Sequence, residues 1–350
     1  MLTDAASLCA ICGRPTVDFN YGVLSCNACK VFFRRMITRT SPIKKCHLGE
    51  KCFEERTYAG PRKSLKCQYC RFQKCLTKQM TLPSYLLMSE PNKEKCLCSV
   101  IQLLKDLDTT RKNYLFKYTI VADADPNIDE ILKMEKIEYV EKPDDYPMNF
   151  NNWAFLSSVI TVDFMKKFAF INLLKTEDQK VVLKECYIKL GAFISSTRAY
   201  TSKKAVLSFP DGTDLLPKTE WIEPKIPEKL EERIRSRLVG RLTELEITHE
   251  EFLLLSVLIF CNPAISNLSE NGKFLLSLYQ QMYGSALFQY CMINYGKNGP
   301  SRYTDILGIC NVIGKHFDDV CSYYILLQLF HSRVQVKKIV KDGIEAAYKS

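Results

Sequence analysis

The sequence predicts two domains of unlike kind: a small, basic, cysteine-rich module and, after it, an all-α domain with one short β-hairpin. Three observations carry that division. Nine of the sixteen cysteines lie between Cys9 and Cys75. The formal charge of +10 sits in the same stretch: residues 1–80 hold 15 Lys/Arg against 5 Asp/Glu, and the other 270 balance 34 against 34. From about Asn92 onward, apolar residues recur at i, i+3 and i+4, the period of an amphipathic helix.

Composition sets outer bounds. A chain of 350 residues with 47% hydrophobic content can build two or three domains with real cores. No apolar run approaches the ~20 residues that span a bilayer. The opening MLTDAASLCAICGRP has neither a basic n-region nor an apolar h-region, so a secretory signal is not expected. Sixteen cysteines without such a signal point to a reducing compartment, where thiols serve metals or cores. Charge confined to one module indicates a polyanionic partner. The four histidines, His47, His249, His316 and His331, are scattered without a nucleophile or an open metal spacing, so an enzyme is not expected.

The first element is a pair of cysteine quartets: Cys9-x2-Cys12-x13-Cys26-x2-Cys29, then Cys46-x5-Cys52-x14-Cys67-x2-Cys70. Zinc takes four soft ligands tetrahedrally, and a C-x2-C turn brings two thiolates to one ion. One such pair alone would read as a redox motif or coincidence. Three of them with a C-x5-C in one basic segment predict two structural Zn²⁺. Four thiolates close the coordination shell, which excludes a catalytic metal. Cys75 shares a stripe with Phe72 and Leu76 and reads as a core thiol.

The next element is CNACKVFFRR, residues 26–35. A helix starting within Cys26–Cys29 places Phe32, Phe33 and Met36 beside Cys29 on one face. Asn27, Lys30, Val31, Arg34 and Arg35 then fall on or near the other. The apolar face is expected to dock on a second helix, Gln68 to Lys78, through Phe72 and Leu76. A helix presenting Lys and Arg suits the major groove of double-stranded DNA, where these side chains donate to guanine O6 and N7. Arg39, Lys44, Lys45, Arg62, Lys63, Lys66, Arg71 and Lys78 are then expected mostly at phosphates, setting register rather than sequence. The competing reading is a solvated cationic face that binds a protein.

Residues 81–95 read as a linker. Helices are expected over Glu94–Tyr118, Asn152–Leu174, Glu177–Tyr200, Pro227–Leu245, His249–Cys261, Ser269–Tyr295 and Ser301–Ile339. Thr176, Thr248 and Ser269 stand at helix starts. Phe209-Pro-Asp-Gly-Thr213 is a turn between short apolar runs, hence a hairpin. Residues 119–150, acidic and holding Pro126, Pro143 and Pro147, read as loop with a short helix.

Together, C-x2-C-x13-C-x2-C-K-x-F-F-R-R, then C-x5-C, then C-x2-C-R-F-Q-K-C-L over residues 9 to about 80 resemble the DNA-binding domain of nuclear hormone receptors. The Asn-Ala between Cys26 and Cys29 is most similar to the divergent nematode-expanded branch of that family. Asp163 to Lys184, with Asp178-Gln179, is similar to the signature of the family's ligand-binding domains. The resemblance implies a two-zinc nuclear-receptor-type DNA-binding module over 1–80, a hinge over 81–95 and a ligand-binding-domain-like helical sandwich over 96–350. It implies base contacts from Lys30 and Arg35, half-site discrimination by Asn27, Ala28 and Val31, and phosphate contacts from Arg34, Arg39, Arg62, Lys63 and Arg71. It further implies a coregulator groove with Lys166 and Glu345, a homo- or heterodimer with related receptors, a small lipophilic ligand, no membrane and a nuclear location. Asn27 stands where well-studied receptors carry an acidic residue, and the Cys52–Cys67 loop is about five residues longer than the common spacing. These departures raise an alternative: a dimerisation partner of related receptors that no longer reads DNA specifically.

Overall fold

The computed structural model describes residues 7–39, 41–50, 52, 67–81, 93–120, 125–134, 136–143, 146, 148–217, 223–331 and 333–349. Most of the expected linker, 81–95, therefore lies outside the described residues. The chain forms two compact units. One comprises Met1–Cys96 with Lys166–Gln179 and Asn262–Met282; the other comprises Leu97–Met165, Lys180–Cys261 and Tyr283–Ser350.

In the first unit, β1 (Phe19–Asn20) pairs antiparallel with β2 (Val23–Leu24). Their two-residue turn holds Tyr21 and Gly22 at φ 54° and 79°, the left-handed pair whose twist suits a tight hairpin. Helix α1 (Asn27–Ile37) starts where Cys26 leaves extended backbone, and α2 (Gln68–Thr77) starts in the same way after Cys67. α1 buries Cys29, Phe33, Met36 and Ile37; α2 buries Tyr69, Phe72, Cys75 and Leu76 among others. The Phe33 and Phe72 rings stack at 5.9 Å, with Tyr21 at 6.0 Å from Phe33, so the expected helix-on-helix docking is present. Either phenylalanine is fully buried, and truncating one costs about 3–5 kcal/mol.

The run expected as one helix over Asn152–Leu174 is broken at Lys167–Phe168, between α5 (Phe150–Lys166) and α6 (Ala169–Leu173). Asn172 Nδ2 donates to the carbonyls of Lys166 and Phe168 at 3.0 and 3.3 Å, satisfying groups that the break would leave open. At Ser269 the cap is as expected: its hydroxyl accepts from Gly272 N, and its own N–H and O–H donate to buried Asp178 at 2.7 and 2.6 Å. Gly272 is required there, because a Cβ would sit 2.7 Å from Asp178 Oδ2. The cysteine-rich module packs on these segments. Lys45 Nζ and Tyr69 Oη donate to the carbonyl of Leu174 at 2.6 and 3.1 Å, Gln73 Nε2 to Leu173 at 2.6 Å, and Tyr279 Oη to Ile37 at 2.9 Å.

The second unit is helical. It contains most of α3 (Lys93–Lys117) and α5, α4 (Ile128–Lys133), most of α7 (Thr176–Thr201), α8 (Glu228–Leu245) and α9 (His249–Phe260). The end of α10 (Glu270–Tyr295), α11 (Gly299–Phe330) and α12 (Lys338–Lys349) complete it. α9 is buried almost all round, from Glu251 through Leu258 and again at Phe260, so it occupies the middle of the helical layers. Its start is a capping box between Thr248 and Glu251. Glu251, with no exposed surface, is met by both arms of Arg302 at 2.7 and 2.6 Å.

Two expectations change in detail. The hairpin at 205–215 is a tight turn with a single bridge, Ser208 to Asp214, closed by Phe209 N on the Thr213 carbonyl at 2.8 Å. The regular sheet lies instead at β3 (Tyr118–Ile120) and β4 (Tyr139–Glu141), inside the stretch read as loop. Three-residue strands are too short to show a period of two. The long run Ser301–Ile339 also divides, into α11 and α12. Breaking lets α12 fold back so that Ile344 packs on Phe317, Cys321 and Tyr324 and the Tyr187 hydroxyl donates to the Ile339 carbonyl. A straight continuation would have left that apolar face in water.

Candidate metal centres and nucleic-acid face

The eight cysteines form two clusters, Cys9/Cys12/Cys26/Cys29 and Cys46/Cys52/Cys67/Cys70, with the sulfurs of each within 4.8 Å of one another. Tetrahedral Zn–S bonds of about 2.3 Å put sulfurs roughly 3.8 Å apart. Cys12–Cys26 and Cys46–Cys52 lie at 3.6 and 3.5 Å, so the donor set fits two zinc ions. Each quartet supplies sulfurs from the N-cap and the first turn of a helix, so a bound zinc would fix the starts of α1 and α2. The two four-cysteine sites are structural zinc centres. Cys75 is fully buried and burial pushes its thiol up to about 12, as fits a core residue.

With Phe33 and Met36 turned inward, Asn27, Ala28, Val31, Arg34 and Arg35 are exposed and Lys30 is half-buried. Sequence reasoning expected this separation of faces, with one exception. Phe32 is half-buried and lies under the Arg71 guanidinium, whose centre is 4.3 Å from the ring centroid. Arg71 also donates to Cys29 Sγ at 3.1 Å, a role its phosphate-contact reading did not include. A cation beside a zinc-bound thiolate disperses the negative charge that four sulfurs concentrate on the ion.

The remaining cations divide. Arg39 is tied to its own loop, donating to Ser41 O and Oγ at 2.7 and 3.0 Å. Lys45, expected near phosphate, instead faces the Leu174 carbonyl, and burial holds its amine down to about 8. Arg62, Lys63 and Lys66 lie outside the described residues. Lys166 closes α5 and is half-buried; Glu345, on α12, pairs with Lys341 at 3.5 Å.

The second unit holds a partly open cavity of about 160 Å³. Ser157 and Thr161 of α5, Tyr187 of α7, His316 and Tyr323 of α11 and Ile344 of α12 are among its walls. Neither the cavity nor the hold on the Leu173 and Leu174 carbonyls has a sequence signal, since each joins residues far apart in the chain. Among the described residues no helix is long and apolar enough to cross a membrane.

Comparison with known proteins agrees with this geometry. Residues 7–82 match the double treble clef zinc finger of C4 type, and residues 146–330 match the ligand-binding domain of nuclear hormone receptors. The chain is 56% identical over 342 residues to the Caenorhabditis elegans nuclear hormone receptor family member nhr-167, covering 98% of each. It is 36% identical to nhr-27 of the same organism, over 98% of this chain and 94% of the relative. It is 34% identical to nhr-9, over 98% of both. With two thiolate quartets, a cationic helix and a helical domain following them in the chain, the protein belongs to the nuclear hormone receptor family and is a DNA-binding transcription factor.

Proposed function

We propose that the protein is a nuclear, sequence-specific regulator of transcription that reads a half-site with α1. The observation that carries this is the division of α1: one face buries Cys29, Phe33 and Met36, and the opposite face leaves Asn27, Val31 and Arg35 open beside Lys30. In the major groove, Lys30 and Arg35 donate to base edges, Asn27 and Val31 discriminate neighbouring pairs, and Arg34 meets phosphate. Asn27 both donates and accepts, so it favours adenine N6/N7 over the cytosine amine that a carboxylate would select. The helical domain binds a lipophilic ligand in its cavity, pairs with a second receptor and recruits coregulators, with Lys166 and Glu345 as the groove's charged residues.

Selection of binding sites from random duplexes by zinc-loaded protein tests the reading. A defined half-site is expected. Lys30→Ala with Arg35→Ala is expected to remove the selection, with two zinc ions per chain retained. Each lost base contact corresponds to about 1–3 kcal/mol of discrimination. An unchanged consensus from the double variant would refute it.

A further inference from the structure

Between α3, α7 and α9 the second unit holds a smaller pocket of about 70 Å³, which shares no wall residue with the larger cavity. Arg111, Lys112, Arg198 and His249 are among its walls, and among the described residues no Asp or Glu is. The carboxylate that serves these cations is Asp108, 1% exposed, one turn before Arg111 and Lys112 on α3. Its Oδ1 accepts from Arg111 Nε and Nη2 at 3.0 and 2.5 Å; its Oδ2 meets Lys112 Nζ at 2.8 Å and His249 Nε2 at 3.1 Å. Burial works against the charge of Asp108, but His249, Arg111 and Lys112 outweigh it and hold the carboxyl well below the usual range.

Arg198 has no such partner. Among the described residues its guanidinium makes one hydrogen bond, Nη2 to the Ser208 carbonyl at 2.6 Å, and pairs with no carboxylate. Its Nε and Nη1 have no protein partner, and neither is sealed from solvent. Burial holds the guanidinium down to about 10, and the positive charge of Arg111 acts in the same direction. Three cations around one carboxylate leave two positive charges over, before His249 is counted. The carboxylates in the first turn of α9 are taken, Glu250 by Lys105 at 2.7 Å and Glu251 by Arg302 at 2.6 Å. A partly desolvated guanidinium without an anion costs free energy, and an anion that enters the pocket removes that cost.

Size and charge set the class. At about 70 Å³ the pocket has under half the volume of a cavity that takes up benzene, about 150 Å³, so it admits an ion of a few heavy atoms and no ring. The guanidinium fork matches the oxygens of a tetrahedral oxyanion, and a doubly charged one offsets an excess of two. We propose that this pocket binds one compact, doubly charged oxyanion, inorganic phosphate or a terminal phosphomonoester, held by Arg198 and Arg111 with Lys112 at the rim. The site goes beyond the DNA-reading and apolar-ligand roles and depends on neither.

Titration calorimetry on the full zinc-loaded chain, at constant ionic strength set with chloride, tests it with inorganic phosphate, glycerol phosphate and acetate. Saturable binding of phosphate or of the ester is expected, with acetate weaker. The tighter of the two identifies the source as the free ion or a phosphomonoester, and either result supports the site. Arg198→Gln is expected to weaken binding about tenfold or more, as loss of one charge-assisted hydrogen bond implies, and Arg198→Lys to recover part. Lys112→Gln, at a side chain half exposed to solvent, is expected to weaken it about two- to fivefold without disturbing the core. Phosphate binding unchanged in both glutamine variants belongs to the cationic face of the zinc module and overturns the proposal. Acetate binding as tightly as phosphate overturns it too, as does binding of none of the three.

Discussion

Replacing Arg71 by alanine separates two roles that the sequence alone does not. In the structure the guanidinium donates to Cys29 Sγ at 3.1 Å and lies 4.3 Å above Phe32. A hydrogen bond to an ionised acceptor contributes about 1.5–3 kcal/mol. The cation–π contact at a partly exposed site adds roughly 0.5–1 kcal/mol. At 1.4 kcal/mol per factor of ten, the bond to sulfur alone corresponds to about 10- to 100-fold in zinc affinity, the range typical for partners of metal ligands. Only one of the two ions is expected to loosen, because Arg71 touches the quartet of Cys9, Cys12, Cys26 and Cys29. Stepwise competition with a chromophoric chelator resolves the two zinc ions. Arg71→Ala is expected to release one at lower chelator concentration and leave the other unmoved, and Arg71→Lys to fall between. If both ions are held as in the unaltered protein, the thiolate role is refuted. A lone drop of ~1 in the salt dependence of DNA binding would then assign Arg71 to a phosphate.

Three further outcomes follow from the second unit. Arg302→Met strands the fully buried Glu251 carboxylate, so urea denaturation should show a loss of about 3–5 kcal/mol, with Glu251→Gln in the same chain recovering part of it. Gly343→Ala places a Cβ against the buried Tyr187 ring and 2.6 Å from Ile188 Cγ1; a cost of about 1–3 kcal/mol and faster amide exchange confined to α12 are expected. His316 has a folded pKa of about 4 against 6.5 unfolded, so below pH 6.5 the unfolded chain takes up the proton first. Stability attributable to this residue is therefore constant above pH 6.5 and falls as pH drops towards 4, by up to about 3 kcal/mol. Denaturation series at pH 7 and pH 4.5 should show a smaller acid loss in His316→Phe.

Local chemistry made the zinc module readable. Two thiolates three residues apart converge on one ion whatever surrounds them, and a helix begun at Cys26 must separate Phe33 from Arg35. What sequence reasoning placed wrongly or left unplaced depends on partners that no period specifies. Phe32 lies at the margin of the apolar stripe, and its environment is set by Arg71, a residue from another helix. Lys45 reads as one more cation in a basic segment, yet its amine is held by the Leu174 carbonyl, together with the Tyr69 hydroxyl. The breaks at Lys167–Phe168 and after Phe330 interrupt unbroken apolar periodicity, because packing of α6 and α12 outweighs the propensity to continue a helix.

The same distinction explains why the nucleic-acid face was clearer than the cavity. DNA presents a repeating polyanion, so a chain that binds it concentrates charge, and charge is countable in a sequence. A buried cavity leaves no such mark. Ser157 and His316 are each common enough on an apolar helix, and an isolated buried histidine is ordinarily bonded to its surroundings. Only the fold shows that both residues belong to the walls of one cavity, and that no ionised side chain among the described residues shares it. The character of the cavity is therefore carried in part by what its described walls lack, an ionised side chain. Absences of this kind exist only once distant segments have been brought together.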